Sequence, residues 1–509
     1  MTPESARTYT NPVLNADWSD PDVVRVGDDF YLTASSFGRA PGLPLLHSRD
    51  LVNWTLVGHA LDRLEPAHAF AAPRPDGGVW APSLRHHADR FWIFWGDPDQ
   101  GILQVNAPEI RGPWTAPRLV KAGKGLIDPC PLWDEETGEA HLVHAWARSR
   151  SGIGNRLTGH RMHPDGTEVL DEGRVIVDGD RIPGWFTLEG PKAYRHDGWF
   201  WILAPAGSVG TGWQGAFRSR SFFGPYEERV VLEQGDTDVN GPHQGGWVRT
   251  ASGEDWFLHF QQRGAYGRVV HLQPMAWGAD GWPVLGDGGT PVTEHRRPAL
   301  PPQPPAEPAT GDDFPGGRHG RQWSWAANPR DGWATQHSGD GLRLACVRSE
   351  DAHDLRRLPS VLTQRLPGEP RVIEVELRLD SEEPGARAGL AVLGAAYRWI
   401  GLQRDADGTA HLVHRFAEPV ATAERDADPP RPAPEGRALL RVETVAGARC
   451  RFSCDLGDGP RPTGRDFAAA PWGWVGALLG LFALAPAGRG HAGSATFTRF
   501  RVGPHRPAV

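Results

Sequence analysis

At 509 residues the chain exceeds what a single hydrophobic core usually supports, so two or more domains are expected. Lys and Arg number 54 against 62 Asp and Glu, and the resulting net charge of −8 excludes an electrostatic grip on nucleic acid or on an anionic membrane. A neutral partner fits better.

The N-terminus, MTPESARTYTNPVLNADW, has no apolar stretch able to act as a signal-peptide core, and a cytoplasmic protein is expected. Five segments then share one pattern, a turn-forming Gly or Asp followed by an aromatic-rich strand: GDDFYLTAS at 27, DRFWIFWG at 89, GEAHLVHAW at 138, DGWFWILAP at 197 and GEDWFLHFQ at 253. Each interval is long enough for four strands and their turns, the unit of a propeller blade, so five repeats predict a five-bladed β-propeller over residues 1–296. A sandwich or barrel with coincidental hairpins is the competing arrangement. The run RPALPPQPPAEPATGDDFPGG from Arg297 cannot sustain a helix or a sheet interior and marks a Pro-rich linker, placed at 297–311.

From 312 to 509 short alternating strands such as RVIEVELRLD and SATFTRFRV recur without an equivalent repeat, which suits a β-sandwich of jelly-roll type. The apolar run WGWVGALLGLFALAPA from Trp472 is too short and too rich in Gly to span a bilayer and reads as two buried strands. The chain is thus all-β. Its four cysteines are too few and too scattered for a secreted disulfide framework; Cys450 and Cys454 would lie about 13 Å apart along one strand, so free thiols are expected.

Ahead of each of the five hairpins stands one distinctive residue: Asp20, Trp80, Asp128, Glu189 and His243. Equivalent positions of successive blades encircle one axis, so these five would converge at one end of the channel. Three are carboxylates. Glycoside cleavage needs one carboxylic acid to protonate the departing oxygen and one carboxylate on the opposite ring face, and crowding in a desolvated cavity keeps one carboxyl protonated near neutral pH. Taken singly, Asp20 and Asp128 each precede Pro and could serve only as Asx-type turns. The 22 Trp also suit stacking on sugar rings, though Trp is a common core residue.

The motifs NPVLNADWSDPDVVRVGDDFYLTASSF, LLHSRDLVNW, VWAPSLRHH, GLIDPCPLW, LEGPKAYR, SRSFFGPYE and NGPHQGGWV, in this order, resemble glycoside hydrolase family 43, in particular β-xylosidase and α-L-arabinofuranosidase members with a C-terminal β-sandwich. The resemblance implies an exo-acting enzyme that releases terminal β-D-xylose or α-L-arabinofuranose from hemicellulose-derived oligosaccharides. It implies Asp20 as general base, Glu189 as general acid and Asp128 as the residue tuning that acid. Family members invert, which requires acid and base roughly 6.5–9.5 Å apart. It further implies that Arg268 bonds the terminal sugar and that Phe37 and Trp80 line its pocket, and it places His243 near the axis, where relatives hold a calcium ion or a water. The alternative for His243 is a hydrogen-bonded core histidine; no acidic cluster accompanies it, and no cofactor is required for the chemistry.

Asp22, in the sequence Asp20-Pro21-Asp22, is a second acid to be excluded as base. His86 and His87 lack zinc spacing. Two other readings stand beside the leading one: a retaining fructan-processing propeller, disfavoured by Ile127-Asp128-Pro129 and Glu189-Gly190 where such proteins have Arg-Asp-Pro and Glu-Cys, and a non-catalytic carbohydrate-binding propeller. Trp472 and Trp474 suggest that the sandwich closes the pocket. A homo-oligomer is compatible with the sequence.

Overall fold

The computed structural model of the protein describes residues 7–335, 339 and 341–505. Five four-stranded antiparallel sheets follow one another along residues 22–285, each made from consecutive strands. The aromatic-rich segments form the second strand of every blade: Asp29–Thr33, Arg90–Asp97, Ala140–Trp146, Trp199–Ala206 and Asp255–Gln262. Two-residue turns lead into two of them, where Ala88–Asp89 and Asp197–Gly198 have positive φ at both positions. That backbone matches the twist of the flanking strands.

These strands bury side chains on both faces because each blade is stacked between two others. One apolar cluster fills each junction, represented by Leu45 with Ile93, Phe94 with Leu142, Val143 with Ile202, and Trp201 with Phe257. The ring closes through a fifth cluster in which Val23 and Phe30 of the first blade meet Val248 and Trp256 of the last. Trp256 is 1% exposed, so truncating it to Ala would cost about 3–5 kcal/mol. Closure is reinforced outside the blades, where Thr8–Thr10 pairs with Glu294–Arg296 and the Asn11 amide donates to the carbonyls of Leu272 and Val292.

The C-terminal half is a β-sandwich whose strands form one hydrogen-bonded path folded over an apolar core. Arg371–Asp380 shows why: Ile373, Val375, Leu377 and Leu379 alternate inward while their neighbours face solvent. The apolar run after Trp472 is one strand, not two. Leu478–Ala485 is buried along its whole length because it lies between two clusters, sending Leu479 and Leu481 to one and Leu478 and Phe482 to the other; residues 472–477 are the loop before it.

The segment after residue 297 has little regular structure but is anchored. The Arg297 N–H donates to the Arg7 carbonyl, the Ala306 N–H to the Asn53 side chain, and Asp312 pairs with Phe500. The domains are hydrogen-bonded to each other: Ala40 bridges to Trp325, Leu64 exchanges two bonds with the Asn328 amide, and the Ala477 N–H donates to the Ala265 carbonyl. All four cysteines are free and buried. Among the described residues no helix is long and apolar enough to cross a membrane.

Candidate active site

The first strand of each blade lines the axis, and its entry carries the site. Asp20 and Asp128 have φ of 56° and 55°, Ala81 36°, Gly190 59° and Gln244 39°. In the second, third and fifth blades this residue lies in a break of the strand register, between Trp80 and Ser83, Ile127 and Cys130, and His243 and Gly245. Such a bulge re-aims side chains from the sheet face toward the channel mouth. The five residues singled out from sequence are therefore not equivalent: Asp20 and Asp128 occupy the left-handed position, whereas Trp80, Glu189 and His243 stand one residue before it.

Asp20 is 4% exposed and held from three sides. Its Oδ1 accepts from Arg268 Nη1 at 2.6 Å; its Oδ2 accepts from the Ser35 hydroxyl at 2.6 Å and the Ser19 hydroxyl at 2.9 Å. Three donors suit an acceptor-only carboxylate and leave about one of its four lone-pair sites for a water. Arg268 is itself positioned by its backbone N–H on Asp17 Oδ1, its Nη1 on Ser19 and its guanidinium 4.6 Å from the Phe260 ring centre. It anchors Asp20 as well as facing the site.

Asp128 is equally buried and has no cationic hydrogen-bond partner; its Oδ2 accepts from the Gly190 N–H at 2.8 Å. Burial, then the charges of Glu189 and Asp20, push its carboxyl up to about 8. Glu189 keeps 31% of its side chain exposed and places Oε1 3.0 Å from His243 Nε2. Its other oxygen is left for a ligand.

His243 is fully buried, with Nε2 on the acid and Nδ1 without a protein partner. A water or a hydrated cation would satisfy that nitrogen. Among the described residues no group of three or more His, Cys, Asp or Glu could hold a metal ion, so the donors do not fit a calcium caged by protein oxygens.

Phe37 and Trp80 meet edge to face at 6.4 Å, and Trp474 of the sandwich meets Trp80 at 6.1 Å. Trp474 is 48% exposed, so a face remains for a ligand. The loop bearing it is held to the propeller by the Gly476 N–H on Asp17 Oδ2. Side chains also meet across the channel. Lys192 of the fourth blade donates to Pro82 O and the Ser83 hydroxyl of the second at 2.8 Å and lies 3.8 Å from Asp22 of the first. Asp22 also accepts from Arg85 at 2.7 Å. The Lys192 contacts join non-adjacent blades and so cross the axis. Asp22 is 0% exposed and committed to two cations, which excludes it as a base toward solvent.

The profile described as glycosyl hydrolases family 43 matches residues 9–283, more than half of the chain. The chain belongs to glycosyl hydrolase family 43. Its second half, residues 311–503, matches the β-xylosidase C-terminal concanavalin A-like domain. Among relatives of this family 43 protein, a putative β-xylosidase of Xylanibacter ruminicola is 37% identical over 78% of this chain and 73% of its own. A β-xylosidase of Formosa agariphila is 30% identical over 93% of this chain and 87% of its own. A xylan β-1,4-xylosidase structure from Bacillus halodurans superposes with a TM-score of 0.85 over 97% of this chain and 99% of that one, at 23% identity, which speaks for the fold alone. The family 43 chain is thus a glycoside hydrolase with relatives named for xylosidase and arabinofuranosidase activity.

Sequence reading missed Ser35, Asp17 and Lys192. Ser35 ends the first repeated segment but has no counterpart hydroxyl in the others; Lys192 follows Gly190 at the offset Asp22 has from Asp20, a repeat signal that could have found it.

Proposed function

We propose that the protein is an exo-acting, inverting glycoside hydrolase that removes a terminal β-D-xylose or α-L-arabinofuranose from hemicellulose-derived oligosaccharides, Glu189 acting as acid and Asp20 as base. One observation carries the assignment: the site gives its carboxyls opposite surroundings. Asp20 is wrapped in donors, while Asp128 and Glu189 crowd each other with a backbone amide and a histidine as near partners. Environments that differ in this way separate base from acid. In the proposed step, water bound to Asp20 attacks the anomeric carbon and gives its proton to that carboxylate. The glycosidic oxygen departs with the proton of Glu189. His243 orients the acid.

Trp474, reaching over Trp80 from the sandwich, supports exo action by walling one side of the site. The Phe37, Trp80 and Trp474 wall supports a small ring stacked against it. Proton NMR during hydrolysis of a nitrophenyl β-xyloside tests the stereochemistry: α-xylose should appear first, and β-xylose first would exclude inversion. A panel of aryl β-xyloside, α-arabinofuranoside and galactoside identifies the sugar, and preference for the galactoside would refute the pentose assignment.

The pH profile follows from the same pair. Burial and the neighbouring carboxylates keep a proton on Asp128 up to about pH 8, and its loss sets a further negative charge beside the departing oxygen. Activity should therefore fall as pH rises through about 8. Asp128→Asn removes that titrating group, so the variant's alkaline limb should no longer lie near pH 8. An unmoved limb would show that Asp128 does not tune the acid.

A further inference from the structure

Away from the pocket, a cavity of about 300 Å³ lies between the domains, with Trp18 and Leu56 on the propeller side and Gln364 and Arg365 on the sandwich side. A smaller recess shares Gln364 and Arg365 with it and is lined as well by Arg39 and His59 of the first blade. Two guanidinium groups therefore face one space. Arg365 lies over Trp18 at 3.7 Å and donates Nε to the Asp17 carbonyl; Arg39 donates Nε to the Ser36 carbonyl at 3.4 Å.

Among the described residues neither arginine has a carboxylate at ion-pair distance, and their terminal nitrogens have no protein acceptor. The acid whose field reaches both, Asp17, spends its oxygens on the backbone N–H groups of Arg268 and Gly476. The strain shows in the titrations. Burial, and then the charge of Arg39, push Arg365 down to about 9, while burial and Arg365 push His59 down to about 3 and keep it neutral. Gln364, 4% exposed, has a buried Nε2 with no partner. Both guanidinium groups are half-buried, and like charges sharing one recess without a carboxylate partner repel. A bound anion offsets that repulsion.

We propose that this interdomain recess binds a small oxyanion, phosphate or carboxylate, clamped by Arg39 and Arg365, with the Gln364 amide as a further donor. Planar guanidinium forks match such oxygens in pairs. The anion would fasten the sandwich to the propeller. The site shares no residue with the three acids and does not depend on their proposed roles.

Thermal unfolding of the full-length protein in low-millimolar phosphate or malonate, against chloride at matched ionic strength, tests it. A saturable rise in Tm of several degrees is expected in one or both oxyanions, and the stronger arm identifies the ligand chemistry. Glu189→Gln should keep the rise, whereas Arg39→Met and Arg365→Met should each lose it. Equal Tm in all three salts would overturn the proposal. So would an undiminished rise in both arginine variants, the signature of general salt exclusion. Should Arg365→Met fail to fold, Arg39→Met decides alone.

Discussion

Replacing Glu189 with Ala is expected to slow cleavage of an unactivated xylo-oligosaccharide by about 10²–10⁴-fold while leaving a dinitrophenyl pentoside hydrolysed at close to the original rate. A sugar leaves as an alkoxide unless its oxygen is protonated, whereas dinitrophenolate is stable as an anion and needs no proton. Asp20→Asn should lose both substrates alike, because water must be deprotonated whatever departs. Asn keeps the shape and one acceptor oxygen for Arg268, while the Ser35 and Ser19 hydroxyls, which donate to the other oxygen, must turn to accept from the new NH2. Steady-state kinetics on the two substrates read the pattern directly. Equal losses on both substrates in both variants would sink the division of roles, and full activity in either would remove that residue from the reaction.

His243 refines the same result. It touches Glu189 through Nε2 and is buried away from solvent, so His243→Gln should act through the acid's orientation and reproduce a weaker form of the Glu189 pattern.

The repeat made the five blades legible because an aromatic-rich second strand is buried on both faces in every blade, and that demand is local in sequence. Asp20 and Asp128 stood out for a related reason: each precedes Pro, and the left-handed φ is met by a short polar side chain. Their one-residue offset from Glu189 was not legible, since the repeat aligns the strands and not the single left-handed residue ahead of each. Contacts across the axis were beyond reach for a different reason. Lys192 and Asp22 meet only because five segments close into a ring, and nothing within either segment announces the other. At Trp472 the hydrophobicity was read correctly and its length was not, because a strand buried on both faces has no alternation to count.

Removal of everything beyond residue 311 is expected to leave a propeller that aggregates or, where soluble, has lost about 10²-fold or more in kcat/KM. Phe70 is 1% exposed and Trp18 lies beneath Arg365, so the cut uncovers apolar surface around the first blade. It also removes Trp474 from Trp80 and the Gly476 amide from Asp17, whose other oxygen holds the backbone of Arg268. That chain of contacts runs from the sandwich to the base: Gly476 to Asp17, Asp17 to Arg268, Arg268 to Asp20. Each link is short and buried, so loosening one end should disorder the carboxylate at the other. Trp474→Ala separates the two consequences, since it removes a pocket wall and leaves the Asp17 link intact. It should raise KM with little change in kcat, while the truncated protein, if it stays in solution, should lose kcat. A soluble propeller with full activity would show that the sandwich neither closes the pocket nor supports the base.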